Sequence, residues 1–264
     1  MDNSYWLKQS DAEPLFPDLI WSRPESKQAA GKLLIIGGNA HGFSAPAEAY
    51  VIAGKSGIGS TRVVMPNALK KLTGALLENV EYTASTLSGS FSKLALDDLL
   101  ANAAWSDGVL FAGDLGKNSE TAITIEKFIN KYSGQVTFTK DATDYCLTDA
   151  AAVMSRPETL LIMTIAQLQK LFIATKQTTA ISYDMNILNL TAALNVIGEK
   201  YPATIIVKHQ GQLLVSGQGF VSSTRTDLDN EDAWRLQTGT KAAVWWLQNP
   251  TKSFEAITTS LLDA

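Results

Sequence analysis

GKLLIIGG, residues 31 to 38, joins four consecutive large apolar residues, Leu33 to Ile36, to a closing pair of glycines. A strand with one face in water alternates apolar and polar side chains, whereas a strand covered by helices on both faces is apolar throughout. The run therefore predicts a strand of a parallel sheet that is buried on both faces. Gly37 and Gly38 predict either a tight turn at its carboxyl end or a close backbone approach to a ligand.

The alternation of strand and helix continues along the chain. Further strands are predicted at 61–66, 107–116, 134–142 and 159–164, and a hairpin of two strands that turns near Gln210-Gly211 is predicted at 203–217. Helices, including a mostly helical tail, are predicted at 46–54, 67–80, 92–105, 119–133, 165–172 and 231–264. This order predicts an α/β protein with a mainly parallel, doubly wound sheet. We expect a single domain over 1–264, in which 1–30 form a short helix and an extended arm.

The bulk composition excludes several classes of protein. The chain has 264 residues and a net charge of -4, which argues against a nucleic-acid or anionic-membrane surface. One cysteine excludes an internal disulfide, and two histidines are too few for a His-rich metal site, so we expect no metal. No apolar run reaches membrane-spanning length, and the N-terminal residues contain no signal-peptide core. We therefore expect a cytoplasmic protein without nucleic-acid or membrane partners.

The stretch AYVIAGKSGIGS, residues 49 to 60, contains Gly54-Lys55-Ser56, which resembles the end of a phosphate-binding P-loop. A P-loop needs a glycine five residues before Gly54, where this chain has Ala49. The preceding residues favour a helix, so the glycines mark its C-terminal end, and a helix C-terminus repels phosphate. We interpret the stretch as a helix end and a turn into the next strand.

Ligands of doubly wound sheets bind at the carboxyl ends of the strands. Three turns are expected there: GGNAHG at 37–42, AGDLGKN at 112–118 and TKDATD at 139–144. Each candidate keeps a structural alternative, such as a tight turn for the glycines, a helix cap for Asp141 or an exposed charge for the histidine and lysines. The candidate ligand-binding residues are Gly37, Gly38, Asn39, His41, Gly113, Asp114, Gly116, Lys117, Asp141 and, from the hairpin, Lys208.

Five segments follow one another along the chain: RPESKQAAGKLLIIGGN (23–39), SAPAEAYVIAGKSGIGSTRVVMP (44–66), AGDLGKNSET (112–121), TKDATD (139–144) and VKHQG (207–211). Together they resemble the ADP/ATP-dependent NAD(P)H-hydrate dehydratase family. The resemblance covers nearly the whole chain and is most specific in the first hundred residues. It implies a ribokinase-like three-layer α/β/α fold, ADP or ATP with an NAD(P)H-type ligand, and a homo-oligomer.

The chain departs from that family at two places. The family's His-Pro-Gly-Glu turn is replaced by Thr164 to Gln167. The family's Gly-Ser/Thr-Gly-Asp motif supplies an anion hole and an acid/base Asp at the start of a late helix. Here that region reads WRLQTGTKAA (234–243), in which Gln237 aligns near the Asp position and Gly239 is a candidate remnant. The catalytic residues are therefore unknown.

Three functions remain open on this resemblance. The first is a divergent dehydratase that repairs hydrated NAD(P)H with ADP or ATP. The second is a non-catalytic homologue that binds a nucleotide or dinucleotide, as a sensor or a subunit. The third is a small-metabolite kinase of the same fold. If only the acid/base group has gone, the amides of Gly37 and Gly38 are expected to keep an NAD(P)-type ligand in preference to ADP or ATP.

The tryptophans of the late helix and an acidic segment before it lead to two further expectations. Adjacent helical residues point about 100° apart, so Trp245 and Trp246 are not expected to share one core face, and one of them is expected to contact a partner subunit. Trp234 is interpreted as a core or interface residue. The acidic segment TDLDNED (226–232) lacks the glycine and glutamate of a calcium-binding loop, so we favour a solvated loop or a helix N-terminus over a calcium site.

Overall fold

The computed structural model describes residues 4–73, 79–227 and 233–262, and these residues contain one ten-stranded sheet. Most of the acidic segment 226–232 lies outside the described residues. The strands are β1 (Trp6–Gln9), β2 (Lys32–Gly37), β3 (Ser60–Pro66), β4 (Val80–Thr83), β5 (Gly108–Gly113), β6 (Gln135–Phe138), β7 (Thr159–Met163), β8 (Thr204–His209), β9 (Gln212–Gly217) and β10 (Phe220–Arg225).

Helices cover the sheet. In chain order they are α1 (Pro17–Trp21), α2 (Ser44–Lys55), α3 (Lys70–Thr73), α4 (Leu96–Trp105), α5 (Ser119–Lys131), α6 (Ala142–Cys146), α7 (Ala150–Met154), α8 (Ile165–Ala174), α9 (Ile187–Lys200), α10 (Ala233–Gln248) and α11 (Ser253–Thr259).

The strand order is β1-β10-β9-β8-β7-β6-β5-β2-β3-β4. Neighbouring strands are parallel except on the two sides of β9. The chain runs outward from β2 to β4 and then returns to place β5 beside β2. A topological switch point, where ligands of such sheets bind, therefore lies between β2 and β5. The expected α/β class and the mainly parallel sheet are confirmed.

Helical layers bury both faces of β2, as its apolar run predicts. Leu33 and Ile35 belong to a core cluster that includes residues of α2 and α10. Leu34 and Ile36 belong to the core on the opposite face, which includes residues of α4 and α5. Burial of a large aliphatic side chain contributes about 1.5–3 kcal/mol, so this short run is a substantial part of the core.

The sequence prediction missed six elements, namely β1, β4, β10, α6, α7 and α9. Helix was predicted over 67–80; the described residues from Asn67 are helical to Thr73, but Val80 begins β4, which pairs with β3. Leu76 lies outside the described residues, and Leu72 is 61% exposed, so the leucine spacing does not mark a buried helix face. At Val80, pairing with β3 overrides the local helix propensity.

The N-terminal residues are part of the layered structure instead of a free arm. β1 pairs in parallel with β10 at the edge of the sheet. The amide of Gln9 donates to the Thr224 hydroxyl and the Thr258 carbonyl, at 2.8 and 2.7 Å. The short helix expected in this region is α1.

The two adjacent tryptophans are both buried within the chain. Trp246 is 2% exposed and packs toward the sheet, while Trp245 is 5% exposed and packs against Leu19 of α1 and Ala256 of α11. They do face different sides of α10, but α1 and α11 cover the second side. Neither tryptophan is therefore exposed to contact a partner subunit, and the prediction that one of them does was wrong. Trp234 is a core residue.

None of the helices in the described part of the chain is long and apolar enough to cross a membrane.

Candidate functional site

The three candidate turns meet at the carboxyl edge of the sheet, because β2, β5 and β6 are neighbours. The Gly38 amide donates to the Gly113 carbonyl at 3.1 Å. The side-chain amide of Asn39 donates to the Asp114 carbonyl at 2.5 Å. The Leu115 amide donates to the Asp141 carboxylate at 2.9 Å. The turns therefore form one hydrogen-bonded network across the switch point.

The backbone N–H groups of the first turn donate within the protein. Gly38 donates to Gly113, Asn39 and Gly42 donate to each other's carbonyls, Ala40 donates to Gly89, and the His41 amide donates to the Asn39 side chain. The Gly38 amide is therefore already engaged within the protein, whereas the glycine amides of this turn were expected to hold an NAD(P)-type ligand. The close approach expected at Gly37 is made to the chain itself, since a Cβ there would lie 2.7 Å from the Gly113 carbonyl oxygen.

Asp114 places a carboxylate at the N-terminus of α2. Its Oδ2 accepts from the Ala45 amide at 2.8 Å and from the Ser44 hydroxyl at 3.2 Å. Its Oδ1 lies 2.9 Å from the Lys140 ammonium. A helix N-terminus at a switch point is a ready site for an anionic ligand, and here a side chain of the protein occupies it.

The surroundings of Asp114 favour its charged form. Burial opposes ionisation, but the hydrogen bond from the Ala45 amide and the Lys140 ammonium outweigh burial and hold the pKa of Asp114 below its ordinary value. Both Asp114 and Lys140 have positive φ, +55° and +53°. Such a backbone is uncommon outside glycine, and asparagine and aspartate adopt it more readily than most residues.

Asp141 joins the second and third turns. Its Oδ2 accepts from the Leu115 and Gly116 amides at 2.9 and 3.1 Å, and its Oδ1 is buried without a partner among the described residues. Burial and the Asp114 charge raise the pKa of Asp141 above its ordinary value. The carboxylate therefore links two turns, and it makes no side-chain cap on α6.

Gly113 has to be glycine in this arrangement. Its φ is +103°, and a Cβ there would lie 2.8 Å from Lys140 Cβ and 2.9 Å from Asp141 Oδ1. Gly116, with φ +73°, is held through its carbonyl by the Tyr145 hydroxyl. His41 and Lys117 are exposed on the surface of the network.

Lys208 lies farther along the same edge, at the end of β8. It is half-buried and lines a cavity of about 290 Å³ together with Thr164, Ile165, Tyr183, His209, Gln210 and Trp234. The ring Nε2 of His209 lies 2.6 Å from the Met185 carbonyl oxygen. This cavity brings a lysine and aromatic side chains together at the same edge as the three-turn network.

α10 does not present the two residues that the resemblance singled out to the carboxyl edge. Gly239 is buried within the helix, where a Cβ would lie 2.4 Å from Thr139 Cγ2 and 2.9 Å from Ile162 Cγ1. It lets α10 pack closely on the sheet. Gln237 faces an outer groove of about 430 Å³, lined by Arg23, Ile52, Lys55, Ser56, Gln237, Lys241 and Trp245.

Sequence reasoning did not single out Gln167 or Lys140. Thr164 and Gln167 form a capping box at the start of α8, and the Gln167 side chain also donates to the Lys140 carbonyl and to Asp144, both at 3.0 Å. The spacing Thr-x-x-Gln before an apolar run is the signal that could have identified this cap. No local signal marks Lys140, because its partner Asp114 is 26 residues away.

Comparison with solved structures gives the fold. A ribokinase-like superfamily protein from Enterococcus faecalis V583 aligns with a TM-score of 0.73 and 14% identity over 99% of this chain and 87% of its own. A hypothetical protein from Streptococcus mutans aligns with 0.68 and 16% over 97% and 88%. An ADP/ATP-dependent NAD(P)H-hydrate dehydratase from Bacillus subtilis, co-crystallised with ATP/Mg²⁺, aligns with 0.58 and 12% over 94% and 86%.

The fold is thus the ribokinase-like α/β/α fold that the resemblance implies. No protein-family model matches the chain, and a search of curated proteins finds no significant match. At these identities the structural likeness shows the fold alone.

Proposed function

We propose that the chain is a non-catalytic relative of the NAD(P)H-hydrate dehydratases that binds a nucleotide-type ligand in the cavity beside Lys208. The main support for this proposal is the arrangement of α10. The chain is already helical at Ala233, Gln237 faces the outer groove, and Gly239 packs on the sheet. The dehydratase motif that the resemblance implies needs glycine amides and an acid at the start of this helix, and the helix interior offers neither.

The other two functions need a carboxylate that can exchange protons at the carboxyl edge. Asp114 accepts from the N-terminus of α2 and pairs with Lys140, and Asp141 accepts two backbone amides. Both carboxylates hold the turns together. This arrangement argues against a dehydratase or a small-metabolite kinase that uses either of them as its acid/base group.

The Lys208 cavity suits part of a nucleotide. Lys208 provides a positive charge for a phosphate, and the exposed ring of Tyr183 provides aromatic surface beside it. At about 290 Å³, the cavity is at the lower limit of the usual range for small-molecule sites. We therefore propose that a single mononucleotide unit enters it. The structural neighbour co-crystallised with ATP/Mg²⁺ supports a nucleotide as the class of ligand.

We expect ADP, ATP, NADH or NADPH to raise the melting temperature of the protein, since a ligand at about 100 times its Kd adds roughly 2.7 kcal/mol to the free energy of unfolding. Hydrated NADPH with ADP should show no restored nicotinamide absorbance. Lys208→Gln should abolish the thermal shift. Lys127→Gln, which removes one exposed charge on α5, serves as the matched control and should keep it.

Either of two results would overturn the proposal: no shift with any of the four nucleotides, or nicotinamide absorbance restored above background. A thermal shift that persists in Lys208→Gln would show that the ligand binds at a site other than this cavity.

We also propose that the protein is a homo-oligomer. The family resemblance alone supports this, because Trp245 and Trp246 are both buried within the chain. Light scattering should give a mass of at least twice 28.5 kDa. A single 28.5 kDa species at every concentration measured would contradict this.

A further inference from the structure

The outer groove between α2 and α10 has the composition of an anion site. Seven of the described residues line it, of which three are Arg23, Lys55 and Lys241 and none is acidic. The whole chain is acidic, with 26 aspartates and glutamates against 22 lysines and arginines. A concentration of positive charge in one groove is therefore not a consequence of the overall composition.

Arg23 is held in place in this groove. Its guanidinium lies over the Trp245 ring, 4.2 Å from the centroid, and it donates to the Ser56 carbonyl. Gly57, with φ +83°, leaves room for it, since a Cβ there would lie 2.8 Å from the Arg23 Nη2 atom. A guanidinium fixed in this way loses less conformational entropy on binding an anion than a mobile one does.

Lys55 and Ser56 come from the Gly-Lys-Ser stretch that resembles a P-loop end. The negative end of the helix dipole at this position is expected to repel phosphate. The last carbonyls of α2 are already occupied, because Ile52, Ala53 and Gly54 accept from the amides of Ser56, Ile58 and Gly57. The Ser56 hydroxyl is buried and has no hydrogen-bond partner among the described residues.

The helix end and the basic side chains of the groove act in opposite directions on an anion, so their energies must be compared. The helix end disfavours an anion by about 0.3–1 kcal/mol when it is near the surface. A single hydrogen bond between a cation and a phosphate contributes about 1.5–3 kcal/mol, so one such bond outweighs the effect of the helix end. The net effect favours a doubly charged anion.

We propose that the outer groove binds a small phosphate-bearing ligand, held by Arg23, Lys55 and Lys241. The volume of about 430 Å³ has room for a phosphate ester as well as for bare pyrophosphate. This site is separate from the Lys208 cavity and does not depend on the function proposed for it.

Calorimetric titration with inorganic pyrophosphate, at constant ionic strength, tests the proposal. We expect saturable binding with a Kd below about 1 mM. The double variant Lys55→Gln/Lys241→Gln should weaken binding at least tenfold, while Lys127→Gln, which removes a single charge from the opposite helical layer, should change the Kd less than twofold. The melting temperature of each unliganded variant shows that it is folded.

A parallel titration with ADP identifies the source of the phosphate. Tighter binding of ADP than of pyrophosphate, lost in the double variant but kept in Lys208→Gln, would identify a nucleotide, whereas equal or weaker binding would identify a bare phosphate group. Absence of saturable pyrophosphate binding up to about 10 mM would overturn the proposal. Equal weakening by Lys127→Gln would do the same, since it would reduce the effect to overall charge.

Discussion

Gly239→Val should lower the free energy of unfolding by about 3 kcal/mol, at the upper end of what overpacking usually costs. A Cβ at this position would lie 2.4 Å from Thr139 Cγ2 and 2.9 Å from Ile162 Cγ1. Both neighbours are fully buried at the carboxyl ends of β6 and β7. Neither α10 nor the centre of the sheet can move without disturbing the core on that face, so the strain cannot relax locally.

Gly54→Val is the matched control, because Gly54 is also helical but has open space where its Cβ would be. Valine is a better helix former than glycine by a few tenths of a kcal/mol, so this variant should be as stable as the wild type or slightly more stable. Urea denaturation measures both. If the two variants lose equal stability, close packing of α10 on the sheet is not the reason for Gly239.

Asp114→Asn should lower the free energy of unfolding by about 2 kcal/mol, between the contribution of an exposed ion pair and the loss on breaking a buried one. The change leaves the Lys140 ammonium without its carboxylate in a setting where the two side chains are only 21% and 17% exposed. It also removes the charge that caps α2. Asparagine tolerates the positive φ of this position, so the backbone conformation itself is preserved.

Asp144→Asn is the control, since Asp144 also pairs with a lysine, but at the surface, with 46% exposure against 64% for Lys170. Exposed pairs of this kind contribute about 0–1 kcal/mol. Denaturation midpoints of the two variants should therefore differ clearly. Similar losses for both would mean that the Asp114 carboxylate does not stabilise the carboxyl edge.

The difference between the wild type and Asp114→Asn should also depend on pH in a defined direction. The folded-state pKa of Asp114 is lowered, so its contribution is present above about pH 4, its unfolded value, and is lost as the pH falls through the folded value. The two stability curves should therefore converge below pH 4. Asp141, whose pKa is raised, contributes in the opposite direction, and it does so less in the variant, which lacks the Asp114 charge.

Local patterns in the sequence were enough for the fold class and for the edge of the sheet at which the candidate turns lie. The unbroken run Leu33 to Ile36 required helices on both faces, and the structure has them. The order of strands and turns brought GGNAHG, AGDLGKN and TKDATD to one edge, because parallel strands end on the same side of a sheet. These properties depend on periodicity and glycine placement over a few residues.

The contacts that the turns make at this edge depend on residues far apart in the sequence. Asp114 caps a helix that begins 70 residues earlier, and β1 pairs with a strand more than 200 residues later. Trp245 is buried because α1 folds over it, and Gln237 faces the outer groove because Gly239 sets the side of α10 that meets the sheet. Side-chain periodicity indicates that a face is buried, but it does not identify the partner that covers it. That choice follows from packing and from the pairing of buried polar groups, which exist only once the chain is folded.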